Sequence, residues 1–84
     1  MTDKSLERKY DEVFRNVCDY VDYQKKSDSS FTVKHLERML ETEYINEGNG
    51  WVGKSEVQEI VSAATIAAYQ HKIVEWKKEN QKDL

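Results

Sequence analysis

The sequence contains no proline and only three glycines, all of them between Gly48 and Gly53. These are the two residues that interrupt helices most severely. Their absence elsewhere leaves a long stretch on each side of that segment free to be helical. Cysteine is almost absent as well. Cys18 stands alone, which excludes a disulfide within the chain. With the charged start "MTDKSLERKYDEV", which offers no apolar targeting segment, the lone thiol predicts a reducing, cytoplasmic setting. No run approaches the ~18 consecutive apolar residues needed to span a bilayer, so a soluble protein is expected. An excess of basic charge is also missing. Thirteen basic side chains face sixteen acidic ones, for a formal net charge of −3, and none of the segments 1–30, 31–50 and 51–84 is a basic patch. The electrostatic footprint of a nucleic-acid binder is therefore lacking.

What is present suits one small helical domain over 1–84, with residues 1–2 and 81–84 expected to fray. A domain of 84 residues hides only about 60% of the surface its unfolded chain exposes, so a second subunit is a natural source of further burial. Charged residues make up 35% of the chain with the signs mixed, as on solvated helix faces. The fold class predicted is all-α: a three-helix bundle with long, short and long helices.

The first helix is expected from about Asp3 to Lys25. Leu6, Tyr10, Val13, Phe14, Val17, Tyr20 and Val21 recur at spacings of three and four and form one stripe. Asp22 and Lys26 stand at i,i+4 with the acid first, the better order for an ion pair. The polar turn "KSDSS" follows. The second helix is expected from Thr32, whose hydroxyl can cap the first turn while Phe31 packs back on Leu36. It should close near Glu47, with Gly48 in the left-handed conformation that ends many helices. The third is expected from the capping box Ser55–Gln58 to about Asn80.

That last helix has two apolar sides. Val57, Ile60, Val61, Ala64, Ala67 and Ala68 share one, while Ile66, Tyr69, Ile73 and Trp76 share another, roughly opposite. Either the helix is central and touches both of the others, or its second face meets another copy or another protein. The residues singled out as a candidate interface are Ile66, Tyr69, Ile73 and Trp76, with Trp51 beside them.

"GNGWVGKS", Gly48 to Ser55, resembles the phosphate-binding loop of P-loop nucleotide hydrolases. The resemblance implies that Gly48 and Gly53 turn the backbone, Lys54 contacts phosphate and Ser55 reaches a metal. In that family the loop follows a buried strand, whereas "HLERMLETEYINE" precedes it here and reads as helix. The glycines are accounted for as a connector: Gly48 ends a helix, Asn49-Gly50 turns, and Ser55 caps the next. A variant pairs "EYIN" with "GWVG" as a short hairpin-like loop at 44–53.

A divergent helix-turn-helix at 32–70, implying a DNA-binding regulator, is the first alternative, ahead of nucleotide binding through Gly48–Ser55. About eight residues separate its helices where three or four are usual, and Glu56 and Glu59 at the entry of the reading helix repel phosphate. His71 and Glu75 share a helix face but lack the further ligands of a metal site. Cys18 reads as a small core hydrophobe. No catalytic, cofactor-binding or metal-binding residue is assigned, and a non-enzymatic protein acting by protein–protein contacts, as a homodimer or with a regulatory partner, is the expectation.

Overall fold

A computed structural model of the chain describes the backbone of residues 3–49 and 56–82, and the side chains of residues 4–46 and 56–79. The described residues form three helices in order, α1 (Asp3–Ser27), α2 (Val33–Asn49) and α3 (Glu56–Lys82). Two breaker-free stretches have become helix, as the lack of proline dictates.

The turn between α1 and α2 is built by side chains. The Asp28 amide still donates to the Gln24 carbonyl, at 2.9 Å. Its carboxylate then accepts from the Ser30 amide at 2.9 Å and from the Ser30 hydroxyl at 2.6 Å. Both bonds stabilise the charged form and lower the Asp28 pKa. This Asx turn reverses the chain. Helix α1 runs through Ser27, two residues beyond the expected end, because the local competitor for the backbone begins only at Asp28.

Thr32 precedes α2, and its carbonyl accepts from the amides of His35 and Leu36. The reciprocal bond is unusual in its partner. The Thr32 amide donates to Nδ1 of His35 at 3.3 Å, and the Thr32 hydroxyl lies 3.1 Å from the same nitrogen. His35 thus fills the place that Glu or Gln takes in a capping box. The expected hydroxyl-to-amide cap is replaced by a hydroxyl-to-imidazole contact.

Helix α2 also continues through Gly48 to Asn49. One glycine near a helix end costs about 1 kcal/mol relative to alanine, which neighbouring packing can offset. The hairpin variant is corrected for its first strand: Glu43, Tyr44, Ile45 and Asn46 are helical. Helical spacing lets the Tyr44 hydroxyl accept a hydrogen bond from Nε2 of Gln70 on α3, tying this turn to its neighbour. Residues 50–53, the other half of that variant, lie outside the described residues, as does Ser55, the expected cap of α3.

The packing is organised around α3, which packs against both α1 and α2. Among the described residues no Cα of α1 lies within 8 Å of a Cα of α2. Cross-helix pairs fix the directions. Glu37 meets Lys77 at 2.9 Å and Tyr44 meets Gln70, so α2 lies antiparallel along α3. Asp22 meets Lys72 at 2.7 Å and Lys25 meets Glu79 at 2.6 Å, so α1 runs alongside α3 in the same direction.

Val21 from α1, Leu36 from α2 and Ile73 from α3 form the core. Val17, Phe31, Met39, Tyr69 and Trp76 pack against it. At the open end of the α1–α2 turn, the Trp76 ring lies 6.0 Å from Phe31, centroid to centroid. The Lys25 ammonium sits 4.6 Å from the centre of the same ring, a cation–π contact that leaves Lys25 free to bind Glu79.

Candidate interaction surface

The two-sided apolar pattern of α3 has a simple structural cause. Ala64 and Ala68 are fully buried, and so, nearly, are Ile66 and Ile73 at 9% and 8% exposure. Tyr69 and Trp76 are half-buried against the core. The four α3 residues singled out from sequence as a candidate interface spend most of their surface inside the chain. Little of Ile66 and Ile73 is left for a partner to cover. Trp51 lies outside the described residues. Tyr69 is wedged between the flanking helices: burial raises the pKa of its hydroxyl, and Glu43 of α2 and Tyr20 of α1 add to the rise.

A different side of α3 faces water. At 3.6 residues per turn, Glu56, Ile60, Ala63, Ala67, Val74 and Lys78 fall within one arc of about 60°. Glu56, Ala63, Val74 and Lys78 are exposed, and Ile60 and Ala67 half-buried. Between Ile60 and Val74 this arc carries no charged side chain, whereas a solvated helix face is ordinarily charged. Val74 keeps 53% of its surface in solvent, and Tyr44 of α2, beside Gln70, keeps 47%. Sequence periodicity had grouped Ala67 and Ile60 with Ala64 and Ala68. Packing separates them, because α1 covers only part of that side.

The ends of the arc differ in sign. Glu56 and Glu59 lie in the first turn of α3, and Lys77 and Lys78 near its other end. Lys77 pairs with Glu37, at the exposed rim. Among the described residues Glu56, Glu59 and Lys78 make no ion pair.

The remaining polar groups are tied into the bundle. The Lys72 ammonium donates to Asp22 at 2.7 Å and to Glu75 at 2.6 Å. Burial works against its charge, but these bonds and the two carboxylate fields outweigh it, so its pKa is raised. Asp22 thus turns to a lysine of α3 in place of Lys26. His71 is exposed, lies 3.6 Å from Glu75 and tilts over Phe14 at 5.7 Å between ring centres. Cys18 is half-buried, and burial, partly opposed by Lys72, raises its thiol pKa. Among the described residues no group of three His, Cys, Asp or Glu side chains is placed to hold a metal ion.

The two alternatives read from motifs meet the same geometry. Helix, not strand, leads into Gly48, and the rest of the phosphate-loop spelling lies outside the described residues. Helices α2 and α3 pair lengthwise through Glu37–Lys77 and Tyr44–Gln70, whereas the two helices of a helix-turn-helix cross at about 90–120°. Also, no described helix is long and apolar enough to cross a membrane. No family model, curated protein or solved structure matches the chain.

Proposed function

We propose that this is a non-enzymatic helical protein that acts by contact between helix faces, with a second copy of itself or with a regulatory partner. The observation that carries the reading is the uncharged outer arc of α3 from Ile60 to Val74, with Val74 half in water. Leaving such a face uncovered forgoes apolar burial that a small domain needs. A cytoplasmic setting fits the same reading, since Cys18 is a half-buried thiol with no cysteine to pair with.

A photo-crosslinking side chain placed at Val74 in the native host tests it. The expected result is a discrete adduct with a protein, whether another copy or a different chain. Absence of any adduct at Val74, with the same reagent active at a control position, would overturn the reading.

A further inference from the structure

We infer that the partner is a second copy of this chain, paired antiparallel along the outer arc of α3 about a two-fold axis near Ala67. The inference rests on the proposed helix-face function and deepens it. A two-fold interface requires a surface complementary to itself, so that each residue meets a partner whose own contact is returned. Few sequences satisfy this by accident, because both charge and size must read correctly in reverse.

The outer arc satisfies both. Reversed about Ala67, Ile60 falls opposite Val74 of the other copy, so the two larger apolar side chains meet at each end of a central alanine contact. Alanine at the crossing point permits helix axes at the close end of the usual 8–10 Å range. Outside the apolar zone, Glu56 falls opposite Lys78, while Glu59 lies two residues, about 3 Å along the axis, from the level of Lys77 of the other copy. In an antiparallel helix pair, flanking residues on the same edge of each helix face one another. Glu59 and Lys77 lie on the same edge, the one toward α2.

The acidic end has no ion pair among the described residues, and neither has Lys78; only Lys77 has a partner, at an exposed rim. Two opposite-charge pairs in register are thereby available in the dimer, Glu56 with Lys78 at each end, and two more, Glu59 with Lys77, at an offset of about 3 Å. A parallel pairing would instead place Glu56 and Glu59 against their own copies. The arc from Glu56 to Lys78 is about 33 Å long at 1.5 Å per residue, room for several helical turns of contact.

The test is sedimentation equilibrium of the full chain from micromolar to near-millimolar concentration, with charge-reversed variants. Glu56→Lys with Glu59→Lys, and Lys77→Glu with Lys78→Glu, each set like charges against each other. Each is expected to weaken self-association roughly tenfold or more. An equimolar mixture restores every pair and is expected to form a heterodimer. Because Lys77 also binds Glu37, the narrower pair Glu56→Lys and Lys78→Glu repeats the test without touching that contact, and circular dichroism confirms helix content. A wild-type chain that stays monomeric throughout overturns the inference. So does association that the reversals leave unchanged, or a mixture that fails to recover it. An adduct at Val74 with a different protein, alongside a monomeric chain, removes the dimer and leaves the helix-face reading standing.

Discussion

Asp22 on α1 and Lys72 on α3 meet at 2.7 Å, joining two helices that are far apart in sequence. The Lys72 side chain keeps 12% exposure and also donates to Glu75. Hydrogen bonding to Lys72 lowers the Glu75 pKa.

The consequence for pH follows from the directions of these shifts. A carboxyl that titrates lower in the folded chain adds stability above the ordinary carboxylate range. That stability is lost as pH falls through the folded value. Lys72, raised by the same carboxylates, contributes below the ordinary lysine range while they stay ionised, and on the basic side loses its contribution only in strong alkali. Acidification is therefore expected to lower stability, while mild alkalinisation leaves these pairs intact. Because Glu75 is exposed, Glu75→Gln should cost only about 0.5 kcal/mol at neutral pH. Urea titrations at neutral pH and below the carboxylate range should show the variant and wild type converging in acid. A gap that widens in acid contradicts the assignment.

Ile73 and Val74 are adjacent in sequence and opposite in setting, one in the core and the other half in water. Ile73→Asn is expected to cost about 3 kcal/mol or more, since it leaves a cavity and buries an amide. Val74→Asn should stay within about 0.5 kcal/mol for the isolated chain. Denaturant midpoints by circular dichroism, read at low protein concentration, distinguish them. Equal losses would mean that the core has been placed on the wrong face.

The histidine at the start of α2 offers a narrower test. His35→Ala removes the acceptor for the Thr32 amide and is expected to destabilise by about 0.5–1 kcal/mol. His35→Gln restores the usual capping-box acceptor and should recover most of the loss. Thermal melts of the three proteins suffice; a Gln variant no better than Ala argues against the reciprocal bond.

Cys18 should react slowly. Its thiol pKa is raised, first by burial, and the thiolate is the nucleophile. Alkylation at neutral pH is expected to run slower than for a free thiol. It should accelerate on adding urea, which exposes the side chain, and on raising pH. A native rate equal to the unfolded rate would show that burial does not protect it.

The helices were legible because each rests on a local cause: spacing of three and four, a polar turn at Asp28–Ser30, and a missing breaker. The central position of α3 was legible as one of two alternatives, since only a helix with neighbours on two sides needs both Ala64–Ala68 and Ile66–Ile73. What escaped the sequence depended on tertiary geometry. Tyr20 belongs by spacing to the α1 stripe, yet it is half-exposed, because it lies about 100° around α1 from the fully buried Val21, at the edge of the contact with α3. Asp22 had an adequate partner in Lys26 and took Lys72, which packing holds in reach. The outer arc of α3 was hidden for a related reason. Ala63 and Ala67 differ from the buried Ala64 and Ala68 by about 100° of rotation, and composition cannot say which pair α1 will cover.

That α1 and α2 each lean on α3 without their backbones meeting also sets the order in which the chain can assemble. The α2–α3 hairpin closes through a short connector. Docking α1 beside α3 before α2 is in place would instead close a loop of about 50 residues, at a larger entropic cost. Amides of α1 are accordingly expected to exchange with deuterium before those of α3, so that α1 detaches first. Such a detached state would bare Ala64, Ala68 and Ile73 to whatever else the solution contains, and its lifetime would govern how readily this protein aggregates.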